Sequence, residues 1–197
     1  KSIGNLKFID TEQKNQNKLN EKITTKLKKS QVWIAASTHA DEESIAANAH
    51  ILLKKKNKNI ITIIIPRHID RVKDIISKIE KLNLKIVKHT SKNKNFKNVD
   101  IYLVDSFGES KKFYKLAPTV FMGGSLTKKG GQNPLEAARF GAKILHGPDI
   151  DNFKEVYKLL KSYNVSKKVK TSKEIASAVK FEKKTKKGIQ IKNFGSI

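Results

Sequence analysis

Short runs of β-branched and apolar residues alternate along the chain with stretches whose apolar positions recur every three or four residues. The runs are Val32 to Ala36, Ile60 to Ile65, Ile101 to Val104 and Thr119 to Met122, with Leu84 to Val87 and Ile144 to His146 as weaker members. The second run is apolar at every position but Thr62. That pattern predicts a central parallel strand covered on both faces, because a half-exposed antiparallel strand would alternate. Between the runs, Ile45, Ala49, Leu52 and Leu53, then Val72, Ile75, Ile76 and Ile79, mark amphipathic helices. Strand and helix alternating in this way predict an α/β fold, a Rossmann-like doubly wound parallel sheet.

Length and composition bound the rest. A chain of 197 residues buries one good core. The expected organisation is a connector and first helix over 1–30, with Leu19, Ile23 and Leu27 on one face, a nucleotide-binding domain over 31–180, and a basic tail over 181–197 anchored by Phe181 and Phe194. No cysteine is present, which removes disulfides and thiolate metal sites and fits a reducing, cytoplasmic setting. No apolar run approaches the ~20 residues that span a bilayer, and Lys1 opens no signal-peptide pattern. The expectation is a soluble piece of a longer protein.

The formal charge of +24 invites a polyanionic partner, nucleic acid or anionic lipid. A compositional cause competes, since all but three of the 42 basic residues are lysine and they gather in polar loops such as 54–58 and 92–97. Nucleic-acid readers use arginine forks and aromatic stacking, and little of either is interleaved here. No nucleic-acid partner is expected; an anionic membrane surface remains open.

In an open parallel sheet the ligand sits at the carboxyl ends of the strands. The chemistry-bearing residues follow the strands as that rule requires: Ser37-Thr38-His39 with Asp41-Glu42-Glu43, Pro66-Arg67-His68, Asp105-Ser106-Phe107-Gly108-Glu109, and Gly123-Gly124-Ser125 followed by Gly130-Gly131-Gln132-Asn133-Pro134-Leu135-Glu136. Thr38 with Asp41, Ser106 with Glu109 and Asn133 with Glu136 have the spacing of capping boxes, and Pro134 suits a first helical position. Such helix starts are explained by capping alone, yet they are also anion sites. Gly123-Gly124 is a turn or a place where backbone approaches a ligand closely. Neither a P-loop nor a G-x-G-x-x-G fingerprint is present. Arg67 offers a planar fork to phosphate, with a surface ion pair as the plain alternative. His39 and His68 lack the acidic neighbours of a metal set, so no metal is expected.

These blocks, in this order, resemble the C-terminal, donor-binding half of the 3-deoxy-D-manno-octulosonic acid (Kdo) transferases. Gly4-Asn5-Leu6-Lys7-Phe8 looks like the family's domain junction, Ala36-Ser37-Thr38-His39 with Glu42-Glu43 like its first loop, Pro66-Arg67-His68 like its basic loop, and 105–109 like its Asp-Thr-x-Gly-Glu motif. The stretch 123–136 resembles its most characteristic block, continued by Gly147-Pro148 and Asn152-Phe153. The resemblance implies half of a GT-B type, metal-independent, inverting glycosyltransferase. That enzyme moves Kdo from CMP-Kdo to a lipid A precursor at the cytoplasmic face of the bacterial inner membrane, with no cofactor beyond the donor.

It also implies donor-site roles. Arg67 would hold the donor phosphate, with His68 also in the donor site; Gly123, Gly124, Ser125 and Asn133 would approach the nucleotide as one wall, completed by Ser106, Gly108 and Glu109. Glu136 would take the ribose hydroxyls, with Ser37, Thr38 and His39 as secondary candidates and no catalytic residue in this segment. The general base and the acceptor site belong to the family's N-terminal half, so this segment is expected to bind donor without catalysing. The chain departs from the family pattern at Ala137 in place of Pro, Asp41 in place of Gly, Ser106 in place of Thr, and at Asp149-Ile150. Two other classes stay in view, a sugar 2-epimerase and a basic nucleic-acid module.

Overall fold

The structure, a computed structural model, describes residues 19–92 and 94–182. Seven parallel strands form one sheet: β1 (Gln31–Thr38), β2 (Ile60–Pro66), β3 (Ile86–Lys88), β4 (Ile101–Leu103), β5 (Thr119–Met122), β6 (Lys143–His146) and β7 (Ser166–Lys168). Their spatial order is β3-β4-β2-β1-β5-β6-β7. The helices are α1 (Glu21–Lys28), α2 (Glu42–Lys54), α3 (Val72–Glu80), α4 (Ser110–Tyr114), α5 (Leu135–Arg139), α6 (Lys154–Ser162) and α7 (Ser172–Ala178). The sheet is doubly wound, as the alternation of patterns implies.

Two hydrophobic layers follow from the strand period of two. Along β1, Val32, Ile34 and Ala36 enter the layer built with α1, α4, α5 and α6. Trp33 and Ala35 enter the opposite one, under α2, α3 and α7. Every residue of β2 is buried, so both faces are covered. Each isoleucine fully removed from water there contributes on the order of 2 kcal/mol. The helices meet the sheet through the faces their spacing implies, Ile23 and Leu27 on α1 and Ile75 and Ile79 on α3.

Helix α2 differs: Ala46, Ala49, His50 and Leu53 point inward, while Ile45 and Ile51 are only partly covered. Small alanines let this helix lie close to the central strands. Phe181 packs on the same layer and Lys180 exchanges hydrogen bonds with Thr119, so the start of the basic tail is held against the body. The expected junction at Gly4 to Phe8 and the anchor Phe194 lie outside the described residues.

Strand β7 was not expected. Its sequence, Ser166-Lys167-Lys168, carries no apolar signal, and it forms through parallel pairing with β6 at the sheet edge. Lysines on an edge strand also discourage further pairing.

At the opposite end from the strand carboxyl edge a buried polar pin joins α2 to the sheet. His50 is fully buried, with Nδ1 2.9 Å from Thr62 Oγ1 and Nε2 3.1 Å from Asp100 Oδ1. Lys54 also pairs with Asp100, and the Lys85 backbone N–H donates to its second oxygen. Burial on its own would raise the Asp100 pKa, but the hydrogen bonds from His50, Lys54 and Lys85 together hold it well below the usual carboxylate range. A carboxyl with a depressed folded pKa adds stability above its unfolded pKa, and that stability is lost as the pH falls. Asp100→Ala should therefore lower stability at pH 7 by about 2–4 kcal/mol. Urea unfolding at pH 7 and pH 3 should show the gap between parent and variant shrinking at the lower pH; an undiminished gap would sink the assignment.

Candidate functional site

Because all strands are parallel, their carboxyl ends share one edge. The order reverses at β1, with β2, β4 and β3 on one side and β5, β6 and β7 on the other. Here the loop after β1 faces the loop after β5, and this crossover is where a doubly wound sheet binds its ligand.

The two loops are locked together by one carboxylate. Glu42, at the start of α2, is fully buried. It accepts hydrogen bonds from the backbone N–H groups of His39 (2.9 Å), Gly124 (2.7 Å), Ser125 (3.1 Å) and Leu126 (2.9 Å). Burial pushes its pKa up, and the four N–H groups oppose that rise. Beside it Glu43 accepts from Thr38 Oγ1 at 2.9 Å and receives a two-pronged ion pair from Arg71, both contacts 3.0 Å. Two acids in the first turn of a 13-residue helix also complement its dipole.

Gly123 is required by this closure. A Cβ there would lie 2.4 Å from the Ser37 carbonyl oxygen and 2.6 Å from Thr38 Cα. The close approach for which a glycine pair is suited is thus made by the chain's own backbone. Gly124 has φ +67°, and a Cβ on it would meet His39 and Gln132. Ser125 is buried, its hydroxyl donating to Met122 O at 2.6 Å and accepting from Gly147 N at 2.7 Å. Ser37 stands at a positive φ of 52° directly above.

The pairs with capping-box spacing resolve differently. Asp41, in a left-handed conformation at the start of α2, makes no side-chain cap, and Thr38 turns to Glu43 instead. Glu109 precedes α4 without capping it; its carboxylate binds Lys112 at 2.9 Å and approaches His89 Nε2 at 3.7 Å. Ser106 Oγ is buried and has no hydrogen-bond partner. Asn133 Oδ1 does accept the Leu135 N–H at 3.0 Å, but Glu136 pairs with Lys111 at 3.1 Å, and Pro134 sits at the cap and not one position later. Glu109 and Glu136 turn to lysines instead of the helix start.

Arg67 and His68 follow β2 and are exposed, with the Arg67 backbone N–H donating to Thr38 O at 2.9 Å. Among the described residues no carboxylate pairs with the Arg67 guanidinium. His68 meets His39 edge to face, ring centres 5.5 Å apart, and His39 Nε2 lies 3.4 Å from Gln132 Nε2. Burial lowers the His39 pKa, and the positive neighbours His68, Lys129 and Arg71 lower it further against the opposing Glu43.

The structure thus gathers Ser37, Thr38, His39, Arg67, His68, Gly123, Gly124 and Ser125 around one crossover. Ser106, Gly108 and Glu109 form a second group after β4, tied to His89. Asn133 and Glu136 stand on α5, linked to α4 through Lys111. Three residues without an expected role stand out: Gln132 and Lys129 beside His39, and Phe107, 72% exposed on the loop after β4. An exposed aromatic inside a polar loop was readable from the sequence; the placement of Lys129 depends on the turn at Gly130, where φ is +74°.

A cleft of about 850 Å³ lies between α1 and the loop after β3 and is lined by Lys22, Lys26, Lys92, Lys94 and Lys97. It contains none of the expected site residues. A smaller one of about 270 Å³ shares Asn20, Ile23 and Lys94 with it and reaches His89, Glu109 and Lys112. The crossover is marked by its chemistry, the exposed Arg67 and His68 beside His39. Among the described residues no cluster of three metal-capable side chains occurs, and no helix is long and apolar enough to cross a membrane.

A seven-stranded, all-parallel doubly wound sheet with its polar residues gathered at the crossover is the architecture of one half of a GT-B type glycosyltransferase. Trehalose-6-phosphate synthase OtsA shares this fold at a TM-score of 0.54 and 11% identity, over 87% of this chain and 41% of that one. No family model matches the chain. It is 31% identical over 158 residues to the 3-deoxy-D-manno-octulosonic acid transferase of Haemophilus influenzae, a match covering 80% of this chain and 37% of that protein. It superposes on the C-terminal CMP-Kdo binding domain of WaaA from Acinetobacter baumannii with a TM-score of 0.72 and 26% identity, over 79% of this chain and 84% of that one. The chain belongs to the Kdo transferase family, and it spans less than half the length of the curated relatives it matches.

The glycine contacts separate two kinds of position. Gly123→Ala should destabilise by about 3 kcal/mol, since backbone atoms must move to admit the methyl group. Gly108→Ala meets open space and should cost only the left-handed backbone strain at φ +78°, about 1 kcal/mol. Thermal unfolding of both variants would show it, and equal losses would refute the reading of Gly123.

Proposed function

We propose that this chain is the donor-binding part of a Kdo transferase, holding CMP-Kdo for transfer to a lipid A precursor. The observation that carries the reading is the match to a CMP-Kdo binding domain over most of both chains. Arg67 supports it: an exposed guanidinium with no carboxylate partner among the described residues, flanked by His68 and His39. These groups take the phosphate of CMP. As the bond to the sugar breaks, negative charge grows on that phosphate, and preorganised positive groups stabilise it without a metal ion. Glu136 would exchange Lys111 for the ribose hydroxyls, and Ser106, with its buried unpartnered hydroxyl, closes the wall on the α4 side with Gly108 and Glu109.

Transfer with inversion needs a general base and an acceptor site, which we place on the N-terminal half of the full-length protein. The exposure of Arg67 and His68 suits that division, since it leaves them open to a second surface. The cytoplasmic face of the inner membrane is the setting for such an acceptor, and the lysine-lined cleft beside α1 would be attracted to anionic headgroups there. A sugar 2-epimerase would prefer a uridine nucleotide instead.

CMP should bind this chain in the micromolar to millimolar range, about 4–8 kcal/mol. Arg67→Ala or Glu136→Ala should weaken it about tenfold, or ~1.4 kcal/mol. Titration calorimetry with CMP, UMP and a short DNA duplex tests this. Heat only with the duplex, collapsing as salt is raised, would favour a nucleic-acid module. A bound phosphate raises the depressed pKa of His39, so CMP binding should take up protons and strengthen as the pH falls from 8 towards 6; buffers of different ionisation enthalpy measure the uptake.

A further inference from the structure

Generic phosphate recognition in a doubly wound fold uses the free N–H groups at a helix start and its glycine loop. Here the glycine loop's amides are taken. Those of Gly124, Ser125 and Leu126, with that of His39, already donate to Glu42, while Glu43 beside it holds Thr38 and Arg71. Among the described residues no basic side chain pairs with Glu42, so its negative charge is met by backbone dipoles alone. A buried carboxylate held in this way is costly unless every lone pair is satisfied, and truncating it would strand four N–H groups.

We propose that Glu42 is a specificity-determining residue: its carboxylate fills the amide nest at the crossover and limits the donor to a nucleotide with one phosphate. The inference rests on the donor-binding reading and deepens it. A nucleoside monophosphate presents one anionic group, which Arg67, His68 and His39 receive at the rim. A second phosphate would extend towards the crossover, where the N–H groups that a dinucleotide-binding fold offers already hold a buried negative charge. Repulsion against the wrong ligand is as effective a source of selectivity as attraction to the right one. CMP-linked sugars carry a single phosphate, whereas most nucleotide sugars carry two, so the filled nest sorts donors by phosphate count.

The test compares CMP with CDP on the chain and on Glu42→Gln, which keeps the shape and removes the charge. The parent should bind CMP at least tenfold more tightly than CDP, and the variant should narrow that ratio at least tenfold. Hydrogen exchange without ligand gives an independent readout: the amides of Gly124, Ser125 and Leu126 should be protected in the parent and exchange at least tenfold faster in the variant, with the amides of β2 and β6 unchanged. A parent that binds neither nucleotide overturns the donor reading. A parent that binds CDP as well as CMP, or a folded variant with an unaltered ratio, overturns the role of Glu42 and leaves donor binding standing. Should the variant not fold, the CMP to CDP ratio and amide protection of the parent decide the matter alone.

Discussion

The arrangement of the crossover depends on one buried, uncompensated carboxylate. No lysine or arginine pairs with Glu42 among the described residues, so its charge is met by N–H groups, and these come from wherever the chain can deliver them. Three come from the loop after β5 and one from the loop after β1. To reach it the β5 loop must press against Ser37 and Thr38, which only a glycine at 123 permits, and must then turn through a left-handed residue at 124. Ser125 anchors the far side through Met122 and Gly147. What reads in sequence as a flexible glycine stretch is in the folded chain a tightly specified one.

That closure decides where a ligand can be met by charge. With the amides engaged inward, the outward-facing groups at the crossover are side chains: Arg67, His68, His39, Lys129 and Gln132. Arg71 could have joined them but is taken by Glu43. The distinction between the two neighbouring arginines is set by three residues of spacing. Arg67 leaves the end of β2 pointing away, whereas Arg71 enters α3 and turns back onto α2.

Much of the fold was legible because it follows from periodicity. A continuous apolar run marked β2 as a central strand, and apolar residues recurring every three or four positions marked α1 and α3. What stayed hidden has physical causes. Strand β7 has no apolar residue and owes its existence to a neighbouring edge. His50 lies on an apolar helical face and reads as an exposed polar residue until Thr62 and Asp100 arrive from distant strands to satisfy both ring nitrogens. For the site, the loops were legible as a set because chemistry follows strand ends in any parallel sheet. Their internal bonding was not: capping-box spacing at Thr38, Ser106 and Asn133 is a local signal, and other partners win, Glu43 at Thr38, Lys112 at Glu109 and Lys111 at Glu136.

The opposite ends of the sheet divide stability from function. At the amino ends of the strands, Asp100 is held by His50, Lys54 and the Lys85 amide, a network with every partner satisfied that ties α2 to β2 and β4. At the carboxyl ends the same helix α2 begins with Glu42 and Glu43. One helix is thus fixed at both termini by carboxylates, Asp100 reaching it from the sheet at one end and its own acids reaching out at the other. A helix pinned twice cannot shift along the sheet, so the amide nest at its start stays filled. A rigid nest is what phosphate counting requires: repulsion discriminates only where the repelling charge cannot move aside.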